Sequence, residues 1–187
     1  MKIPLYKIYT DQEDVEAVKA VIERGSWWTE GNEIKEFENV FSEYVGTKYA
    51  VSFNSGTSAL RALMLAYKIG NGDEVIVPSF TFIATANTPL FVGAKPVFAD
   101  IEKTTYGLDV NDVSKKITRK TKAIMPIHYG GTACKDVKAI KELAQDHELL
   151  LFDVPTMKLG AKIDGQNVGT FGNASMFSFC GNKVITT

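Results

Sequence analysis

A lysine at the end of an apolar run is the residue of this sequence best suited to covalent chemistry. Lys183 closes the segment NASMFSFCGNK at positions 173–183. A buried strand there would deliver the amine to a desolvated site, where loss of water lowers a lysine pKa and favours the neutral, nucleophilic form. Most lysines are solvated surface charges, so this interpretation depends on partners elsewhere in the chain.

A second candidate is the segment NSGTS at 54–58, which follows a short apolar run and opens a helical pattern. Gly56 lets a ligand approach the backbone, and Thr57 and Ser58 add hydroxyl groups to the free amides of a first helical turn. This composition is typical of a phosphate cradle. The alternative is that Ser55 simply caps the helix.

Two further segments offer an aromatic ring and a carboxylate. Phe80 and Phe82 follow the apolar run EVIVP at 74–78, and one of them could present a flat face to a planar ring. Aromatic residues after strands more often belong to the core. Asp153 closes the apolar run 149–152, where a carboxylate is either a helix cap or the partner of a buried cation.

These four features together match the contacts that pyridoxal phosphate requires. The cradle holds the phosphate, the aromatic ring covers the cofactor ring, and the lysine holds the aldehyde and moves a proton. The carboxylate keeps the pyridine nitrogen protonated, so that the ring withdraws electrons from a neighbouring carbanion. The sequence therefore predicts pyridoxal 5'-phosphate as the cofactor.

The elements that must position these residues are helices alternating with short apolar strands. Thr10 and Glu13 indicate a capping box for a first helix, and residues 137–147 form a later helical segment. Strands are predicted at 49–54, 74–78, 96–100, 123–128, 149–153 and 175–179. Such a pattern predicts the α/β class, with a three-layer, mostly parallel sheet and helices on both faces. Ligands of these sheets bind beyond the carboxyl ends of the strands.

Composition argues against several other classes of protein. The chain has 187 residues, of which 45% are hydrophobic and 23% charged, with a formal net charge of −1. This balance argues against nucleic acid or a membrane surface as partner. Cys134 and Cys180 lie far apart and indicate neither a disulfide framework nor a metal site. No apolar stretch approaches the length of a membrane span, and a cytoplasmic location is expected.

Six segments make the chain resemble the pyridoxal-phosphate-dependent sugar aminotransferases of the DegT/DnrJ/EryC/StrS type, which have the fold type I architecture. In chain order they are GSWWTEG at 25–31, YAVSFNSGTSAL at 49–60, GDEVIVPSFTF at 72–82, GAKPVF at 93–98, PIHYG at 126–130 and FSFCGNK at 177–183. They span nearly the whole chain at spacings close to those of the family.

The resemblance implies a role for each candidate residue. Lys183 would form the internal aldimine, Asp153 would pair with the pyridine nitrogen, and Phe82 would stack on the ring. The residues that would hold the phosphate are Gly56, Thr57 and Ser178.

The resemblance leaves two registers open around Asp153. Thr156 stands where the family usually has Gln or His against the cofactor, and a water can take the place of that longer side chain. Phe152 stands where an acidic residue commonly precedes the aspartate. The segment from Asp153 to Gly160 is one residue longer than in relatives, so a match without a gap places Val154 where the aspartate belongs.

The implied activity is transfer of an amino group, from glutamate, to a nucleotide-linked keto sugar in polysaccharide biosynthesis, by a homodimer. Trp28 and Thr29, beside Trp27, are candidates for substrate contact, with interface or core packing as the alternative for the tryptophans. His128 follows a strand and is either a substrate contact or a hydrogen-bonded structural histidine.

Two other functions remain open. Sugar dehydratases of the same fold use the cofactor untethered, with histidine in place of the lysine, and Lys183 disfavours them. A truncated, non-catalytic cofactor-binding module is the second, because the family continues well beyond this length. Residues 1–187 are expected to hold the N-terminal segment and most of the large domain, without the small C-terminal domain. Such a polypeptide is expected to be inactive and poorly folded alone, because a strand between the first and lysine-bearing strands would be missing.

Overall fold

Five parallel strands form the centre of the structure, a computed structural model that describes residues 3–4, 6–155, 159–183 and 185. The strands of the chain are β1 (Glu74–Pro78), β2 (Lys95–Ala99), β3 (Thr121–Ile124), β4 (Leu150–Asp153), β5 (Lys162–Ile163), β6 (Gln166–Asn167) and β7 (Ala174–Ser175). The helices are α1 (Gln12–Glu23), α2 (Asn32–Val45), α3 (Gly56–Ala66), α4 (Ala84–Phe91), α5 (Val110–Lys116) and α6 (Val137–Asp146), with a 3-10 turn at Tyr129–Gly131. No helix in this described part is long and apolar enough to cross a membrane.

The main sheet has the order β2-β1-β3-β4-β7, and every neighbouring pair in it is parallel. Strand β1 lies between two partners and all of its residues are buried, which explains its nearly unbroken apolar sequence. Strands β5 and β6 form a separate antiparallel hairpin. The predicted α/β class with a mostly parallel sheet is confirmed.

Helices pack on both faces of the sheet because side chains alternate between the faces along each strand. On one face, Leu60 and Met64 of α3 pack with Phe152 and Val154. We call this side the α3 layer. On the other face, here called the α6 layer, residues of α5 and α6 pack with alternate strand residues, and its members include Val113, Ile140, Ile76, Leu151, Val168 and Phe171.

The N-cap of the first helix lies one residue later than predicted. Asp11, rather than Thr10, is the N-cap: its side chain accepts hydrogen bonds from the backbone amides of Glu13 and Asp14. The carboxylate of Asp14 completes the capping box by accepting from the Asp11 backbone amide at 3.0 Å. Aspartate is a stronger N-cap than threonine, which explains why the helix begins after Asp11.

The segment predicted as a strand at 49–54 lies outside the sheet and has no regular secondary structure. Tyr49 and Val51 expose 74% and 70% of their surface. A strand needs a ladder partner, and no strand in the described ranges pairs with these residues. The strand prediction for 49–54 is therefore wrong for the described residues.

The segment that carries the lysine is also less regular than predicted. Strand β7 ends at Ser175, before most of the predicted range 175–179. Met176 still donates a backbone hydrogen bond to Asp153 at 3.2 Å, and the chain then closes a turn in which the Lys183 amide donates to the Cys180 carbonyl at 2.8 Å. Lys183 therefore lies in a turn beyond the edge strand, rather than at the end of a strand.

Candidate active site

The N-terminus of α3 presents the amides of a phosphate cradle. Ser55 is the N-cap, and its hydroxyl oxygen accepts a hydrogen bond from the Ser58 amide at 3.1 Å. The amides of Gly56 and Thr57 precede the first intrahelical bond, so they point out of the helix end with the positive end of its dipole. Capping by Ser55 thus leaves donors available for an anion.

The chain that follows β7 passes directly against this helix end. A Cβ atom built on Gly56 would lie 3.0 Å from the Met176 sulfur and 3.8 Å from Cβ of Ser178. Glycine at the first position of α3 is what allows this close approach. The structure therefore brings together Gly56, Thr57 and Ser178, the three predicted phosphate-binding residues.

We expect Gly56→Val to weaken cofactor binding. The added methyl groups would push Met176 and Ser178 away from the helix end, and loss of one charge-assisted hydrogen bond corresponds to a rise of about tenfold or more in Kd. Titration of the full-length protein with pyridoxal phosphate, followed by absorbance, measures the effect. Gly70→Ala is the matched control, because its Cβ atom would lie at an ordinary 3.5 Å from the Val92 carbonyl. Equal Kd values for Gly56→Val and the wild type would contradict the cradle.

Lys183 is half-buried in the turn beyond Ser178. Burial lowers the pKa of Lys183 below its ordinary value, while the neighbouring Cys180 opposes that shift. Loss of water around the ammonium favours the neutral amine, which is the form that attacks an aldehyde.

The two candidate aromatic residues have different environments. The ring of Phe80 packs on Tyr129, with 4.4 Å between ring centroids, and on Tyr106 at 5.7 Å. Phe82 lies in the loop before α4 and exposes 73% of its surface. Phe82 is therefore the more exposed of the two rings, and its stacking on a planar ligand stays a prediction.

Asp153 and His128 form a fully buried pair. One carboxylate oxygen lies 2.5 Å from His128 Nε2, and the other accepts from the amides of Gly169 at 2.7 Å and Phe171 at 3.3 Å. His128 Nδ1 accepts from the Cys134 amide at 2.8 Å, so the ring proton is on Nε2 and is donated to Asp153. The pair is thus a neutral imidazole and a carboxylate that accepts three hydrogen bonds.

This placement differs from the predicted roles of both residues. Asp153 follows Phe152 in β4 and therefore points to the other face, into the α6 layer, away from α3 and its cradle. His128 is hydrogen-bonded through both ring nitrogens and has no exposed surface, so it has no free nitrogen to offer a substrate. The geometry matches the structural alternative for His128.

The predicted substrate-side residues lie in the exposed loop between α1 and α2. Trp28 keeps 64% of its surface exposed, and its indole nitrogen donates to the Val21 carbonyl at 3.2 Å. Thr29 is exposed beside a cleft whose lining residues are Arg24, Trp27, Glu30, Gly31 and Asn32. Their contact with substrate stays a prediction. Thr156 lies outside the described residues.

Two features that support the site were not predicted from the sequence. Met176 fills the space between Gly56 and the sheet, and the backbone amides of Gly169 and Phe171 hold Asp153. The available signal for Met176 was its two-residue spacing from Ser178, which places both side chains on one face of an extended chain. The backbone donors carry no side-chain signal.

Three of the four expected contacts with pyridoxal phosphate remain available in the described residues. Gly56 and Ser178 lie together where the phosphate would bind, Phe82 is exposed, and Lys183 is partly desolvated. The roles of Phe82 and Lys183 against the cofactor stay predictions. The fourth contact does not fit, because the carboxylate of Asp153 is on the opposite face of the sheet and all of its hydrogen bonds are internal.

Comparison with known sequences identifies the family. The DegT/DnrJ/EryC1/StrS aminotransferase family profile matches residues 9–187. GDP-perosamine synthase of Vibrio cholerae is 41% identical over 185 residues, which cover 99% of this chain and 50% of that protein. The UDP-N-acetyl-3-dehydro-alpha-D-glucosamine 3-aminotransferase of Acidithiobacillus ferrooxidans is 42% identical over 153 residues, covering 82% of this chain and 41% of that protein.

Solved structures share the fold. The putative sugar aminotransferase Spr1654 from Streptococcus pneumoniae, in its PMP form, superimposes with a TM-score of 0.94 at 29% identity and covers 99% of this chain and 50% of that chain. The chain spans about half the length of the curated relatives it matches. With its parallel sheet between two helical layers and a match over residues 9–187, the chain belongs to the DegT/DnrJ/EryC1/StrS family of pyridoxal-phosphate-dependent aminotransferases.

Proposed function

We propose that the protein transfers an amino group from glutamate to a nucleotide-linked keto sugar, with pyridoxal phosphate as cofactor. The observation that carries the proposal is the cradle, in which Ser178 lies against Gly56 at the start of α3 and is followed by the half-buried Lys183. Relatives named as a GDP-perosamine synthase and a UDP-linked sugar aminotransferase support a nucleotide sugar as acceptor.

The proposal includes the organisation of the whole protein. Residues 1–187 supply the N-terminal segment and most of the large cofactor-binding domain. The protein works as a homodimer in the cytoplasm, and its product serves polysaccharide biosynthesis. The spore coat polysaccharide biosynthesis protein SpsC of Bacillus subtilis, 38% identical over 176 residues that cover 94% of this chain and 45% of that protein, supports that last assignment.

Each part of the site would perform one task. The first amides of α3, with Thr57 and Ser178, would hold the phosphate, and Phe82 would cover the ring. When bound, the cofactor supplies an aldehyde that condenses with an amine and a ring that withdraws electrons from a neighbouring carbanion. Lys183 would hold the cofactor between turnovers and move a proton during transfer, for which a lowered pKa is suitable.

We expect the full-length protein, loaded with pyridoxal phosphate, to move ¹⁵N from labelled glutamate into keto sugars linked to GDP, UDP or dTDP. 2-Oxoglutarate and the amino sugar should form in equal amounts, measured by coupled assay and mass spectrometry. The matched control is the same nucleotide sugars without a ketone, which should remain unlabelled.

Other outcomes would contradict the proposal in distinct ways. Loss of water from the sugar without uptake of ¹⁵N would identify a dehydratase. Tight binding of the cofactor without either reaction, across the whole set of sugars, would identify a non-catalytic binding module.

A further inference from the structure

We propose that Val154, and not Asp153, is the residue of this chain that faces the cofactor ring, so that the protein holds pyridoxal phosphate with its ring nitrogen unprotonated. The inference rests on the proposed cofactor binding and adds to it the electronic state of the ring. It follows from which face of the sheet each side chain occupies.

The alternation along β4 and its continuation gives the first line of evidence. Phe152 and Val154 are fully buried in the α3 layer, in one cluster with Leu60 and Met64. Asp153 lies between them and points the other way, where it accepts hydrogen bonds from the amide of Phe171. The cradle at the N-terminus of α3 therefore shares its side of the sheet with Val154.

The segment after β7 shows the same division. Met176 and Ser178 approach Gly56 on the α3 side. The intervening Phe177 points to the opposite side, where its ring lies within 2.3 Å of the position that a Cβ atom on Gly169 would take. The amide of that glycine binds Asp153. Both chain segments thus place the carboxylate on one side and the phosphate cradle on the other.

The register of β4 holds this arrangement in place. Phe152 pairs with Ala174 and Asp153 with Ser175, and Val154 forms a bridge with Ile127 on the other neighbour. Turning the carboxylate toward the cradle would require a shift of one residue against both neighbours, since side chains alternate with a period of two. It would also break three buried hydrogen bonds of Asp153.

The surroundings of Val154 disfavour a charged ring nitrogen. Its buried neighbours in the α3 layer include Phe152 and Met176, which are apolar. A cation in such surroundings needs an anion within hydrogen-bond distance, and without one the neutral form is favoured. A neutral ring withdraws electrons more weakly, so the expected consequence is retained cofactor binding with slow amine transfer.

The decisive measurement is the ¹⁵N chemical shift of pyridoxal phosphate labelled at its ring nitrogen and bound to the full-length protein. We expect an unprotonated shift at neutral pH in the wild type, and the same shift in Asp153→Asn. A protonated shift in the wild type would overturn the inference, while absence of any bound cofactor would overturn the proposed function instead.

A second measurement determines the protonation of the buried His128–Asp153 pair in the absence of the cofactor. In the apo protein with ¹⁵N-labelled histidine, the His128 signals should show a protonated Nε2 and an unprotonated Nδ1 that accepts a hydrogen bond. These chemical shifts should not change when the cofactor is added. A change of the His128 signals on cofactor addition, in parallel with protonation of the ring nitrogen, would show that Asp153 serves the cofactor.

A gain of function at Val154 completes the test. Val154→Asp should move the ring ¹⁵N shift to its protonated range and speed the half-reaction with glutamate, whereas the uncharged Val154→Asn should do neither. Because an aspartate at this buried position can also unfold the protein, the wild-type and Asp153→Asn shifts decide the inference if Val154→Asp does not fold. An unprotonated ring in a folded Val154→Asp protein would overturn the placement of Val154.

Discussion

Lys183→Ala should eliminate covalently held pyridoxal phosphate from the full-length protein. The wild type should absorb at the border of the visible and near-ultraviolet, and this band should disappear in the variant because no other described lysine occupies the turn beyond Ser178. Borohydride treatment of the wild type, followed by peptide mapping, should place the label on Lys183.

The matched control for this experiment is Lys162→Ala, which removes an exposed lysine of β5. It should keep the absorption band and the reducible adduct. A label on any lysine other than Lys183 in the wild type would contradict the assignment. Retention of the phosphate cradle predicts that Lys183→Ala still binds the cofactor reversibly, and equilibrium dialysis can measure this.

Asp153→Asn should lower the free energy of unfolding by about 2–3 kcal/mol, the usual effect of leaving buried polar groups unpaired. The NH2 group of the new asparagine would face either the proton on His128 Nε2 or, with the amide flipped, the backbone N–H groups of Gly169 and Phe171. If the imidazole moved its proton to Nδ1, that proton would meet the Cys134 amide instead. Either tautomer leaves two donors facing each other, so the interior cannot adapt by a proton shift. Urea denaturation measures the change.

Asp164→Asn is the matched control, because Asp164 pairs with Lys138 at the surface, where solvent screens the interaction. It should change stability far less than Asp153→Asn. The contrary result would be an Asp153→Asn protein with unchanged stability and a large loss in the half-reaction with glutamate. That pattern would place the carboxylate beside the cofactor.

Much of the fold was predictable because hydrophobic period and length specify buried parallel strands well. The range of β1 at 74–78 was predicted in full, and α6 and β4 differ from their predicted ranges by a single residue. The strands β1 and β4 lie inside the sheet, where burial on both faces dominates their sequence, and α6 has a regular apolar face. Strand limits depend on ladder partners, which explains why 49–54 and 175–179 were poorly predicted. The strand predicted at 123–128 was also misplaced, because β3 spans Thr121–Ile124.

A site residue could be predicted from the sequence where the local geometry allows a single residue type. Gly56 had to be small to let another segment approach, and the structure shows Met176 and Ser178 against it. Asp153 was harder to place, since two registers fitted the same sequence and they differ by one residue. Only the partners of the strand, including the bridge between Ile127 and Val154, distinguish which side chain faces which layer.

The two-residue length of β7 has a consequence for how firmly the site is held. Local opening requires least free energy where few ladder bonds must be broken, and among the described strands of the main sheet β7 has two residues, whereas β1 has five fully buried ones. Within residues 1–187, the segment that carries Ser178 and Lys183 is therefore expected to open before β1. A phosphate bound between α3 and Ser178 would connect this segment to a helix anchored in the core, so that occupancy of the cradle would raise the hydrogen-exchange protection of the segment.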